Sequence, residues 1–140
     1  MLTLHTGSDG TAVAVDGERI AALGPTTELE AAYPQARVRR WDGTVTAGGL
    51  HRGALPAAPS AAGRTPAPVR WALLRSGATA AEPAAFADPE LRAAAHRNGL
   101  AMDGHTPTLA VGGRADLTVL AADGNCLATV LGGRLVHRRA

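Results

Sequence analysis

The sequence predicts a mainly β protein, a small β-sandwich with two or three short helices and a helical insertion. Short runs that alternate apolar and polar residues occupy both ends of the 140-residue chain, as expected of half-buried strands. Dipeptides typical of tight turns, Asp16-Gly17 and Gly132-Gly133 among them, separate these runs. Aromatic residues make up only 3% of the chain, so we expect a core of small side chains packed on a sheet.

The first fifty residues are predicted to begin as a β-meander. Leu2 to Thr6 is the first alternating run, and Asp16-Gly17 joins Thr11–Val15 to Arg19–Leu23. Both residues of an Asp-Gly pair tolerate positive φ, so this pair predicts a hairpin.

A short helix and two more strands are predicted to follow. The run ELEAAY has a preceding threonine as its cap and carboxylates in its first turn, and Pro34 ends it after about two turns. Arg37 to Trp41 and Thr44 to Thr46, separated by Asp42-Gly43, are the next extended segments.

The middle of the chain, residues 49–105, is predicted to be a linker and a helical insertion. Leu50 to Gly63 is rich in Ala and Pro, with weak periodicity. Pro68 to Gly77 has an apolar stripe at helical spacing and ends in glycine. Asp88-Pro89-Glu90 is typical of a helix start, and Gly99 of the corresponding end.

The last part of the chain is predicted to return to β structure. Its strands are Thr106–Val111, Ala115–Ala121 and Ala128–His137, and Gly132-Gly133 makes the last of them a hairpin. We therefore predict a single domain, residues 1–140, with a sheet built from residues 1–48 and 106–140.

Composition limits the classes of function. All fourteen basic residues are arginines, yet the formal net charge is only +2, so we expect solvated strand faces and not a nucleic-acid site. No apolar run approaches the length of a membrane helix, and His5, Asp9 and Asp16 interrupt the long apolar stretch that a secretory leader would need at the start of this sequence. A cytoplasmic protein with no membrane partner is expected, and Cys126, the one cysteine, predicts no intrachain disulfide.

Both ends of the chain resemble the flanks of a metal-dependent amidohydrolase. The run VAVDGERIAALGPTTELEAAYPQARVRRWDGTVTAGGLHRG, Val13 to Gly53, resembles the leading segment of imidazolonepropionase-like and aminodeoxyfutalosine-deaminase-like amidohydrolases. The run GGRADLTVLAADGNCLATVLGGRLVHRR, Gly112 to Arg139, resembles their closing segment. In that family the two flanks form a small β-sandwich, the composite domain, beside a catalytic (β/α)8 barrel. Trp71 to Ala80 is similar to the first helix of that barrel and the start of its second strand.

The segment between the two flanks is too short for the barrel. A barrel of this kind takes about 250 residues, whereas Leu50 to Gly104 offers about 55. The resemblance also fails at the catalytic signature, since the family pattern PGLxxxHxH corresponds here to Thr46–Gly53, with His51 as its single histidine. The resemblance therefore implies a composite domain that lacks the barrel.

Four residues of the middle segment are candidate zinc ligands. They are His51, His96, Asp103 and His105, whose side chains are of the types that bind zinc. No two of the histidines have the i, i+2 or i, i+4 spacing of a ligand pair, so we predict no catalytic residue, no metal and no cofactor, with zinc as the alternative.

Three hypotheses of function remain at this point. The first is a non-catalytic composite domain that serves as a binding or assembly module, because apolar surface that relatives bury needs a partner, either in a homodimer or in another protein subunit. The second is a metal-dependent hydrolase of non-peptide C–N bonds, as the family name implies. The third is an accessory subunit that completes a separately encoded barrel.

Overall fold

The computed structural model describes residues 2–51, 77–82, 89, 92, 93, 96 and 99–139. Within them lie ten strands and one continuous helix, which confirms the mainly β prediction. The elements in chain order are β1 (Leu2–Thr6), β2 (Thr11–Asp16), β3 (Arg19–Pro25), α1 (Thr26–Ala32), β4 (Arg37–Arg40), β5 (Thr44–Ala47), β6 (Gly49–His51), β7 (Ala78–Ala81), β8 (Leu117–Leu120), β9 (Cys126–Leu131) and β10 (Arg134–Arg138).

The first sheet has the strand order β3-β2-β1-β4 and comes entirely from the leading flank. Strands β2 and β3 pair antiparallel, and Gly17 in the turn between them has a φ of 59°, so the Asp-Gly hairpin prediction is confirmed. Strand β4 pairs with β1 in the parallel sense. Because a parallel pair needs a crossover connection, α1 lies between β3 and β4 and carries the chain across.

The second sheet has the strand order β10-β9-β8-β5 and joins the two flanks. Strand β5 comes from the leading flank and pairs antiparallel with β8 of the closing flank. The Gly132-Gly133 turn connects β9 and β10 with φ values of 56° and 82°, which confirms the predicted terminal hairpin. Residues far apart in the chain therefore complete a single sheet.

The main core lies between the two sheets and makes them a sandwich. Val13, Val15 and Ile20 of the first sheet pack against Val45, Val119 and Val130 of the second. Ala115, Leu117 and Ala128 complete this cluster of buried residues. The core is aliphatic, as the low aromatic content of the chain predicted, and Trp41 packs at its margin.

Helix α1 covers the opposite face of the first sheet. Leu29, its one buried residue, packs with Leu4, Ala12 and Ala14 in a second cluster. The predicted threonine cap is wrong, because Pro25 is the N-cap and no side chain caps the helix. The predicted end of the helix at Pro34 is nearly correct, since the helix ends at Ala32, two residues earlier.

A parallel pair, β6 and β7, forms a third small sheet. Strand β7 contacts β9, and a bridge from Ala80 to Ala101 borders its other side. All four residues of β7 are buried. The resemblance of Trp71–Ala80 to a barrel segment led us to expect a strand at its end. Strand β7 is that strand, and it lies beside β6.

The structure bears differently on three predictions for the second half of the chain. The strand predicted at Thr106–Val111 is wrong, because residues 104–110 have no regular structure. Pro107 has no amide hydrogen to donate to a neighbouring strand. Leu109 packs against the main core from this irregular segment. The helix predicted at Pro68–Gly77 falls almost entirely outside the described residues. In the helix predicted from Asp88, the described positions 89, 92, 93 and 96 are helical.

Candidate functional site

A groove of about 350 Å³ follows the irregular segment that leads back into the sandwich. Four ionisable side chains line this groove, and the other lining residues have small or weakly polar side chains. The lining residues are Ala101, Asp103, His105, Thr106, Pro107, Thr108, Ala110, Gly113, Arg114 and Asp116. Two of the four candidate ligands from the sequence, Asp103 and His105, therefore border the same groove.

Asp103 and His105 form a local pair at the edge of this groove. The backbone N–H of His105 donates to Oδ1 of Asp103 at 3.0 Å, and Nδ1 of His105 lies 3.1 Å from Oδ2. The backbone hydrogen bond, followed by the side-chain one, lowers the pKa of Asp103 below its ordinary value. The side chains remain 60% and 85% exposed, so this pair is a solvated turn with an ionised carboxylate.

Asp116 and Arg114 form the buried part of the groove wall. The Arg114 Nε lies 3.1 Å from Oδ1 of Asp116, whose side chain is only 9% exposed. The same oxygen accepts a 2.8 Å hydrogen bond from the backbone N–H of Gly132. Burial raises the pKa of Asp116, while the Gly132 amide and Arg114 oppose that rise. The carboxylate holds the turn between β9 and β10.

Arg114 also connects this cluster to the end of the insertion. Its Nη2 donates to the backbone carbonyl of Gly99. The Gly99 amide in turn donates to the carbonyl of His96 at 3.1 Å, as at the end of a helix. One guanidinium therefore joins the insertion, the segment 113–116 and the terminal hairpin.

The other two candidate ligands lie on separate elements. His51 is the last residue of β6, where it pairs with Ala81 of β7. His96 is exposed at a helical position. The described residues hold no group of three or more His, Cys, Asp or Glu placed to bind a metal. Both oxygens of Asp103 already interact with His105, so this pair falls short of the three protein ligands of a catalytic zinc site.

Arg114 and Asp116 were not predicted from the sequence as a site. The sequence does contain a signal for this site, because the carboxylate of Asp116 stands between Ala115 and Leu117 in an apolar run. Such a run predicts burial, and a buried Asp needs a charged or hydrogen-bonding partner. A second polar cluster was also missed. It contains His5, which is 3% exposed, together with Trp41 and Arg138.

The family model described as imidazolonepropionase-like composite domain, bacteria, matches residues 12–36. This stretch covers β2, β3 and α1, which form the hairpin and crossover of the first sheet. The match confirms the resemblance of the leading flank to an amidohydrolase composite domain. None of the curated proteins compared with the chain matches it.

Two solved structures are similar to part of this chain. Guanine deaminase from Bradyrhizobium japonicum is 20% identical with a TM-score of 0.49, over 64% of this chain and 27% of that one. Ochratoxinase from A. niger is 16% identical with a TM-score of 0.44, over 76% of this chain and 30% of that one. The chain thus corresponds to less than a third of the length of either enzyme.

In the part of the chain that the structure describes, no helix has the length and apolar character needed to cross a membrane.

Proposed function

We propose that this chain is a non-catalytic composite domain that acts as a binding or assembly module. Its expected partner is a second copy or another protein subunit, and its expected location is the cytoplasm. The proposal rests on one observation above all. Within the described residues, strands from the two flanks complete a sandwich with each other.

The pairing of β5 with β8 carries this argument. Val45 and Val119 lie opposite each other in that pair, and both are buried in the main core, at 6% and 1% exposure. The side chains of the first sheet cover them from the other layer. A fold that buries its own core in this way can be kept as a module after a catalytic domain is lost.

Three large apolar side chains are exposed in the part of the chain that the structure describes. Val111 is 65% exposed, Leu23 is 38% exposed and Val38 is 37% exposed. These residues lie in the segment before β8, in β3 and in β4 respectively. Leu23 and Val38 lie on strands at opposite edges of the first sheet, so they offer separate apolar contacts and not one patch.

The mass of the purified chain in solution tests this proposal. Size-exclusion chromatography with light scattering at micromolar concentration is expected to give a dimer, or a complex with a co-purifying subunit. A monomer over the whole micromolar range, with no subunit co-purifying from the native host, would contradict an assembly role. The variant Val111→Ser is the matched probe of the surface, because it changes an exposed side chain and leaves the core intact.

The second candidate function is a metal-dependent hydrolase that acts on the C–N bond of a cyclic amide or amidine. The observation in its favour is that Asp103 and His105 border a groove of about 350 Å³. It would use His51, His96, His105 and Asp103 with zinc. Hydrolysis that requires added zinc and is lost in His105→Ala would establish it.

The third candidate is an accessory subunit for a separately encoded barrel. The parallel pair β6 and β7 favours it, because parallel strands normally occur in sheets that are covered on both faces. Co-expression with a barrel protein from the same genome distinguishes this case. A stable complex of one chain with one barrel would support it, and a homodimer that excludes the barrel would contradict it.

A further inference from the structure

Strand β4 is an edge strand with an unusual charge. It stands at the end of the first sheet and pairs on one side, with β1. Three of its four residues are arginines, in the sequence Arg-Val-Arg-Arg. No described strand pairs with its outer side, and Arg37, Val38 and Arg40 are exposed. An edge of this kind presents unpaired backbone groups to a partner.

The ladder with β1 indicates which backbone groups are available. The amide of Trp41 donates to the carbonyl of Thr6 at 2.9 Å, so the backbone of residue 41 faces β1. Backbone direction alternates along a strand, so Arg39 also faces β1, whereas Val38 and Arg40 direct their N–H and C=O groups outward. Two donors and two acceptors therefore lie along the exposed edge.

The charge at this edge is largely uncompensated. In the described part of the chain, Arg40 pairs with Glu30 at 3.2 Å, whereas no carboxylate forms an ion pair with Arg37, Arg39 or Arg138. Arg138 belongs to β10 but reaches this edge, since its guanidinium carbon lies 5.6 Å from the Trp41 ring centroid. A further arginine, from a distant part of the sequence, therefore lies beside the residue that follows β4.

We infer that the edge of β4 binds an extended acidic segment of another protein, which adds to the first sheet as a further strand. This inference rests on the proposed function and names the chemistry of the partner. Backbone pairing with Val38 and Arg40 supplies the strand contacts, and the neighbouring arginines select carboxylate side chains. The exposed Val38 contributes an apolar contact between the charges.

Two other occupants fit this edge less well. A second copy of the chain would bring arginines opposite arginines, and like charges directly opposite are destabilising. A single-stranded nucleic acid needs an aromatic face for its bases. The Trp41 ring is already held by His5, through the indole N–H, and the guanidinium of Arg138 lies over its face, 5.6 Å from the ring centroid.

The test is fluorescence anisotropy of the full chain with a labelled peptide of alternating glutamate and valine. The same peptide with lysine in place of glutamate is the charge control, and a peptide with alternate amides N-methylated is the strand-pairing control. Binding is expected for the glutamate peptide alone. The double variant Arg37→Glu/Arg39→Glu is expected to weaken binding by about tenfold or more. Arg134→Glu on β10 removes one exposed arginine elsewhere and is expected to leave binding unchanged.

Val38→Pro separates strand pairing from simple charge attraction. It removes one outward N–H but no hydrogen bond to β1, and proline is tolerated on edge strands. Weaker binding in a variant with the parent's circular dichroism supports the inference. If the variant does not fold, the N-methylated peptide decides the question with the unchanged protein.

Three outcomes would overturn the inference. They are equal binding of the N-methylated peptide, equal binding by the double variant, and tighter binding of a single-stranded oligonucleotide than of the glutamate peptide. None of them contradicts the proposed function, because light scattering and co-purification test assembly independently of this edge.

Discussion

The indole Nε1 of Trp41 donates a 3.2 Å hydrogen bond to Nδ1 of His5. The planes of the two rings are only 12° apart, as such a bond between two aromatic rings permits, so the residue after β4 is fixed against β1. Since Nδ1 accepts this bond, the imidazole is neutral, with its proton on Nε2. Burial, and to a smaller extent the charge of Arg39, lowers the pKa of His5 from 6.5 to about 4.

This contact predicts that the stability of the protein depends on His5 between pH 4 and pH 6.5. In that window the unfolded chain binds a proton at His5 and the folded chain does not, so the free energy of unfolding falls as the pH decreases. We expect a loss of about 2 kcal/mol from this group between pH 7 and pH 5. Urea unfolding at the two pH values measures it.

The variant His5→Asn isolates the effect of this group. An asparagine oxygen can accept the bond from Trp41 but does not titrate, so the variant should lose less stability than the parent on acidification. His105→Asn, which replaces an exposed histidine, should retain the parent's pH dependence. An identical pH dependence in His5→Asn and the parent would show that His5 is not the group responsible.

The carboxylate of Asp116 is predicted to stabilise the terminal hairpin through the Gly132 amide. Asp116→Ala removes the acceptor for that amide and the partner of Arg114, so we expect the free energy of unfolding to fall by about 2 kcal/mol. Asp116→Asn keeps an acceptor for the amide and should cost less. Chemical denaturation of both variants measures the two losses in the free energy of unfolding. Equal losses would mean that the charge of Asp116, and not its bond to Gly132, stabilises the hairpin.

The close approach of β5, β6 and β7 predicts that a side chain at position 48 destabilises the fold. A Cβ at this position would overlap the side chain of Thr79, which is fully buried. Gly48→Ala should therefore lower the free energy of unfolding by about 2 kcal/mol. Adding Thr79→Ala should recover part of that loss, because the second change removes the atoms that clash. Independent, additive effects of the two substitutions would contradict this contact.

Local signals in the sequence predicted the local parts of the fold. Asp16-Gly17 predicted the β2–β3 hairpin, and Gly132-Gly133 predicted the β9–β10 hairpin, because a two-residue turn determines the pairing of the strands it joins. The parallel pairing of β1 with β4 was not predicted. It depends on a crossover and on contacts between distant residues, which leave no signal at a fixed spacing.

The candidate site was predicted only in part. Asp103 and His105 lie together because they are two residues apart and form a turn, whereas His51 and His96 lie on other elements. The residues that connect separate elements, Arg114 and Asp116, were missed. Their roles depend on Gly99 and Gly132, which the folded chain brings close and the sequence places far away.

The zinc content of the purified chain tests the central claim, a composite domain without a catalytic metal, most directly. The chain is dialysed against a slight excess of zinc, washed, and analysed for metal per chain, with His51→Ala as the control. We predict much less than one zinc per chain, with the same value in the variant. Near-stoichiometric zinc that disappears in His51→Ala would contradict the claim and establish a metal site in the segment between the two flanks.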